Sequence, residues 1–171
     1  MHEGYACRPA CAASDAPGAW SQTGYIGSEQ PVPRMSAPPD PFAYVVDPGE
    51  AIAYARMWGV VSGADMLQLA RAVHADPLWE CGFDAVWDCS AVRAHVVAPG
   101  DVDPIVREAA ASGQGRDVLV QSRADGDGAI AQMLAAFCRR SGKAMTVHAT
   151  LSDALAALGR EALPAALTDT R

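Results

Sequence analysis

One unit repeats along most of this chain: a short apolar run, a turn, then a stretch of helical period. Ser62 with Asp65 three residues later forms a capping box, with Val61 and Met66 as its hydrophobic staple. Met66, Leu69, Ala70 and Val73 then recur at helical spacing, and Pro77 lies just past the end. The run "AVW" (85–87) reads as a buried strand. Asp103 and Pro104 suit an N-cap and first helical residue, predicting a helix with Ile105, Val106 and Ala109 inward and Gly113 beyond it. "DVLVQ" (117–121) is a strand, and "GAIAQMLAAFCRR" (128–140) a helix with Ile130, Met133, Leu134 and Phe137 inward. Arg139 and Arg140 complement its dipole and Gly142 closes it. "AMTVH" (144–148) is a strand, and "TLSDALAAL" (150–158) a helix capped by Thr150 with Asp153 and stopped by Gly159.

A hairpin precedes the repeats. "FAYVV" (42–46) and "AIAYARMW" (51–58) flank "DPGE", where Pro48 and Gly49 fit a type II turn. The return strand places Ile52, Tyr54, Arg56 and Trp58 on one face and Ala51, Ala53, Ala55 and Met57 on the other. An alanine-lined face predicts a closely packed helix. The order β-β-α-β-α-β-α-β-α calls for an α/β domain: a mixed, mostly parallel five-stranded sheet with about four helices.

That domain spans 42–159. Residues 1–41 carry seven of the twelve prolines and no helical or strand period, the composition of a disordered tail. The pair in "CRPAC" (7–11) lacks the partner pair a metal site needs. Residues 160–171 read as a frayed C-terminal tail. The formal charge of −7, with Lys143 the single lysine, opposes nucleic-acid binding and attachment to an anionic membrane. No apolar run is long enough to span a bilayer, and the N-terminus lacks the pattern of a secretory signal. Five cysteines, an odd number, fit reduced thiols in a cytoplasm better than a disulfide framework.

The stretch "DPLWECGFDAVWDCSAV" (76–92) resembles the part of SpoIIAA-like (STAS) domains where an acid–proline pair leads into a strand ending in Asp-x-Ser-x-Val. The opening hairpin, "WGVVSGADML" (58–67) and "DALAALG" (153–159) agree with that family in order and spacing. The resemblance covers about residues 42–159. It implies a non-catalytic regulatory module, often dimeric, that contacts a protein partner or holds a small ligand. In the family's anti-sigma-factor antagonists, the following loop carries a serine that is phosphorylated to switch partners. Here that loop is "RAHVVAPGD" (93–101), and Val97 and Ala98 occupy the two serine positions. The resemblance therefore implies a divergent branch without the phospho-serine switch.

The candidate partner or ligand surface is Asp88, Ser90, His95, Val97 and Asp101, along the strand end and the loop after it. Asp88, at the carboxyl end of a buried strand, lies where ligands of α/β folds bind. It is also placed to hold the "CSAV" turn through the N–H groups that follow, which is the favoured reading. Three function classes follow: a protein-binding module, a small-molecule or lipid carrier with an apolar pocket between sheet and helices, and a hydrolase using Ser90 and His95. No nucleophile elbow, oxyanion motif or metal-ligand spacing supports the third. No catalytic residue, metal or cofactor is expected. Asp125, Asp127 and Gly128 mimic part of a calcium loop, but Arg123 and Leu134 stand where further ligands belong. "ASGQGR" (111–116) follows a helix and precedes a strand, the wrong order for a phosphate cradle. His74, His148, Trp87 and Cys138 read as structural positions, while Trp58 and Trp79 could line a pocket.

Overall fold

The structure, a computed structural model, describes residues 40–121 and 128–164. The tail through residue 39 with its CRPAC pair, the acids Asp125 and Asp127, and residues 165–171 lie outside the described residues. The elements run β1 (Phe42–Asp47), β2 (Ile52–Ser62), α1 (Gly63–His74), β3 (Asp84–Val96), α2 (Pro99–Ala111), β4 (Asp117–Val120), α3 (Ala129–Arg140), β5 (Met145–His148) and α4 (Leu151–Ala157). The strands form one sheet in the order β1-β2-β3-β4-β5. β1 pairs antiparallel with β2, and all later neighbours are parallel. The chain is thus the expected α/β domain, with a mostly parallel five-stranded sheet and four helices.

Sequential strand order explains where the core lies. Each crossover steps to the next strand in the same direction, and crossovers share one hand, so their helices fall on one face. Ala53, Ala55, Met57, Trp87 and Leu119 of the sheet pack there with Leu69 and Val73 of α1, Val106 of α2 and Leu134 of α3. The alanine face of β2 lies under helices, as its small side chains predict. α4 turns back onto the opposite face, where Ala154, Leu155 and Leu158 cover Ile52, Tyr54, Val86, Val118 and Val120.

Several local expectations are corrected. The hairpin turn is not type II, because Gly49 does not take positive φ; Ala51 does, at 50°. The Asp47 carboxylate instead organises the turn by accepting the N–H groups of Gly49 and Glu50. β3 does not end after Trp87 but runs to Val96, because β2 continues beside it to the Ser62–Val96 pair. β4 pairs with β3 only as far as Asp88, so β2 and β3 project past it as a two-stranded arm. α2 begins four residues before the expected N-cap at Asp103, because Pro99 fits its first position and the Asp101 carboxylate accepts the Ala98 N–H at 2.8 Å.

α3 is also turned relative to expectation. Its buried residues are Ala131, Leu134, Ala135 and Cys138, whereas Met133 and Phe137 are exposed and Ile130 is half-buried. Small residues at 131 and 135 let the helix approach its neighbours closely, which the bulk of Met133 and Phe137 would prevent. Arg140 covers the Phe137 ring at 5.9 Å. The start of the C-terminal segment is not frayed: Arg160 pairs with Glu50 at 3.0 Å, and Leu163 packs on the α4-side core.

Candidate functional site

The structure strings the predicted surface residues along β3 and into α2. Asp88 is buried, the last β3 residue paired with β4. Just beyond it, β3 has one extra residue relative to β2, since Arg56–Trp58 spans the partners Asp88–Ala91. Such a bulge unpairs a strand N–H. The Asp88 Oδ1 accepts the Ser90 N–H at 2.9 Å, and Oδ2 accepts the Tyr54 hydroxyl at 2.7 Å. Arg56 Nε lies 3.6 Å from Oδ2 and balances the charge. Burial, with Asp88 as hydrogen-bond acceptor, pushes the Tyr54 pKa well above its ordinary value. Asp88 does hold the following backbone, but at a bulge within a strand and not in a loop.

Ser90 is exposed, whereas His95 lies with Met66, Cys89, Leu119 and Leu134 on the helix-covered side, its Nδ1 enclosed without a hydrogen-bond partner. The two side chains therefore form no nucleophile–base pair. Val97 is half-buried against the main core. Asp101 caps α2 and abuts Gly63 so closely that a Cβ there would come within 2.3 Å of the Asp101 Cβ. Both anchor the head of α2.

A second polar centre, which the sequence reading treated as separate structural positions, is buried at the other end of the sheet. Asp117 opens β4 and is almost fully buried, as is Lys143 in the turn before β5. Lys143 Nζ lies 3.2 Å from Asp117 Oδ1 but directs hydrogen bonds to Ser112 Oγ at 2.9 Å and the Gly113 carbonyl at 3.3 Å. The Trp87 indole N–H and the Lys143 ammonium are the donors that face the Asp117 carboxylate. Burial raises the Asp117 pKa to about 6 even though Lys143 opposes the rise. Burial likewise pushes the nearby Cys138 thiol up to about 11, with Asp117 adding to it.

His74, in the last turn of α1, faces the same region. Its Nδ1 is 2.9 Å from Glu108 Oε1 on α2, and its ring lies 5.3 Å from that of Trp79 and 6.2 Å from that of Trp87. Burial lowers the His74 pKa, opposed by Glu108. A cavity of about 50 Å³ lies between sheet and helices, walled by Met57, Met66, Ile105 and Leu134 among others and reached by His74, Trp87 and Asp117. His74 Nε2 is enclosed there without a hydrogen-bond partner, while the Trp87 indole N–H is directed to Asp117. The legible signals were an acid opening an otherwise apolar strand and the lone lysine just before the next strand.

Among the described residues, no three His, Cys, Asp or Glu side chains gather as a metal site requires. No helix among them is long and apolar enough to cross a membrane. Cys89 and Cys138 are buried thiols outside any disulfide. Comparison with protein-family models and with curated proteins returns no match.

Proposed function

We propose that this chain is a non-catalytic regulatory module of the SpoIIAA-like (STAS) type that binds a protein partner through the β2–β3 arm and the head of α2. The observation that carries this reading is an uncovered apolar face on the arm. Val60 pairs with Ala94 and Ser62 with Val96, so these side chains share a face. Val60 and Val96 are 60% and 62% exposed, and Trp58 stands on the same side of β2 at 38%. The α4-side core stops at Tyr54 and Val120 and leaves this face open. Arg93 stands on the arm of an otherwise acidic chain. The complementary partner is a protein surface with apolar side chains inside an acidic rim. Sequential strand order and the opening hairpin also support the family reading, and a cytoplasmic site of action goes with it. Residues 93–101 contain no Ser or Thr, so partner exchange here runs without the phospho-serine switch.

The test is a photo-crosslinking residue at Val60, activated in the native host. The proposal predicts one heterologous adduct, absent when Val96→Asp is added, with the melting temperature unchanged. An adduct only with a second copy would make the surface a homodimer interface, and no adduct would remove the proposal. A second reading, a small-ligand site between sheet and helices, is favoured by the cavity at Trp87 and Asp117.

A further inference from the structure

Of the thirteen Lys and Arg residues in this sequence, Lys143 is the single lysine. An arginine keeps its proton and offers no nucleophile, so Lys143 is the one side-chain amine of the chain. The fold hides it. Its side chain is 1% exposed, and Nζ reaches Asp117 Oδ1 at 3.2 Å, Ser112 Oγ at 2.9 Å and the Gly113 carbonyl at 3.3 Å. Folded in this way, the domain presents no side-chain amine to an acyl donor.

The concealment is local. Lys143 belongs to the turn 141–144 between α3 and β5, where Ser141, Gly142 and Ala144 are all exposed. The Gly142 N–H donates to the Arg139 carbonyl at 3.1 Å, and the Lys143 N–H to the Cys138 carbonyl at 3.0 Å. The strand that follows is four residues long and lies at the edge of the sheet. Exposed turns beside short edge strands open at a lower free energy than central strands do. Lys143 can therefore swing outward while β3 and β4 stay paired.

We infer that Lys143 is an acylation site gated by opening of this turn, and that acylation there prevents the domain from closing as before. The co-substrate is an activated acyl group, a thioester or an acyl phosphate. In the open turn the ammonium gives a proton to water and its nitrogen attacks the acyl carbon. The new N–C bond forms as the C–S or C–O bond breaks, the thiolate or phosphate leaves with the electron pair, and the nitrogen loses a second proton. The product is a neutral amide with one N–H where three donors stood. It cannot balance Asp117, which is left with the Trp87 N–H as its remaining donor. A buried charge stripped of its partner is strongly destabilising. Acylation thus marks the molecules that have opened.

The experiment treats the full chain with the N-hydroxysuccinimide ester of acetate at pH 7.5 and follows Lys143 by peptide mass spectrometry in 0 to 2 M urea. Turn-gated acylation proceeds in water and changes by less than about twofold per molar urea, whereas global unfolding of a small domain steepens by about fivefold or more. A rate with the same urea slope as global unfolding of this chain, or no acylation in water, would overturn the gating. The acetylated chain is then compared with its parent in urea unfolding at pH 7.5, alongside the same pair made in Asp117→Ala. Acetylation lowers the midpoint of the parent and does not lower that of Asp117→Ala, where no carboxylate is left unbalanced. An equal fall in both would assign the damage to the bulk of the acyl group and overturn the charge account.

Discussion

Asp88 and Asp117 are both buried aspartates at the limits of strand pairing, on neighbouring strands, and they live in opposite circumstances. Asp88 closes the β3–β4 ladder at its carboxyl end, and both of its oxygens are engaged by Tyr54, Ser90 and Arg56. Asp117 opens the same ladder at its amino end, where it is held by the buried Lys143 ammonium at 3.2 Å and faces the Trp87 indole N–H. A buried carboxylate with a full set of partners is a structural element, because any ligand would have to displace a bond already made. One paired with a single buried ammonium depends on that charge instead. The carboxyl end of a parallel sheet is the usual place to look for a ligand. In this domain the buried ion pair is at the amino end of β4.

The sharpest way to break the comparison is to remove the counter-charge of Asp117. Lys143→Met leaves a buried carboxylate without its cation and should cost about 3–5 kcal/mol in urea unfolding. Adding Asp117→Leu should restore most of that loss, since replacing both partners with apolar groups is often nearly neutral. If the single variant is as stable as the parent, the Asp117 site is wetter than described.

Acidity separates the two centres next. From the unfolded value near 3.8 to about 6, the folded chain keeps a proton on Asp117 that the unfolded chain has released. Stability therefore falls as pH rises through that window, by up to about 3 kcal/mol, and levels off above it. His74 acts with the opposite sign: its folded pKa lies below 6.5, so its contribution is lost as pH falls through that range. Denaturation midpoints at pH 4, 5 and 6 in the parent and in Asp117→Asn isolate the carboxylate, because only the parent carries its downward slope. The Asp88 centre responds at the alkaline end. The raised Tyr54 pKa predicts stability lost as pH climbs above 10, and Tyr54→Phe abolishes that loss.

Smaller effects test the structural reading of Asp88 and Asp101. Asp88→Asn retains one acceptor, which can serve Ser90 or Tyr54 but not both, so a loss of about 1–3 kcal/mol is expected with partner capture intact. Asp101→Ala removes the carboxylate that accepts the Ala98 N–H at an exposed helix start and should cost about 0.5–1 kcal/mol by thermal unfolding.

The division between what was legible and what was not follows the same lines. Capping boxes and apolar periodicity disclosed the helices and the order of elements along the chain, because those signals act between residues a few positions apart. Ser62 with Asp65 and Thr150 with Asp153 stand where their spacing placed them. The limits of β3 and the inward face of α3 were hidden, since both depend on partners distant in sequence. Polar Asp88 and Ser90 interrupt the apolar run, yet β2 carries the strand onward. Met133 and Phe137 fit a helical stripe as well as Ala131 and Ala135 do, and close packing selects the smaller pair. Of the candidate surface, Asp88 was read correctly as a support for backbone N–H groups, but Ser90 and His95 do not meet. The Asp117 centre was out of reach because His74, Trp87, Asp117 and Lys143 are joined only by the stacking of three separate strand–helix units.

The most direct test of the contrast is urea unfolding of Asp88→Asn and Asp117→Asn side by side at pH 4 and pH 7. The account predicts a loss of about 1–3 kcal/mol in Asp88→Asn at both pH values. It predicts that Asp117→Asn lacks the fall in stability that the parent shows as pH rises through the window from 3.8 to about 6. A fall in Asp117→Asn as steep as the parent's would contradict it.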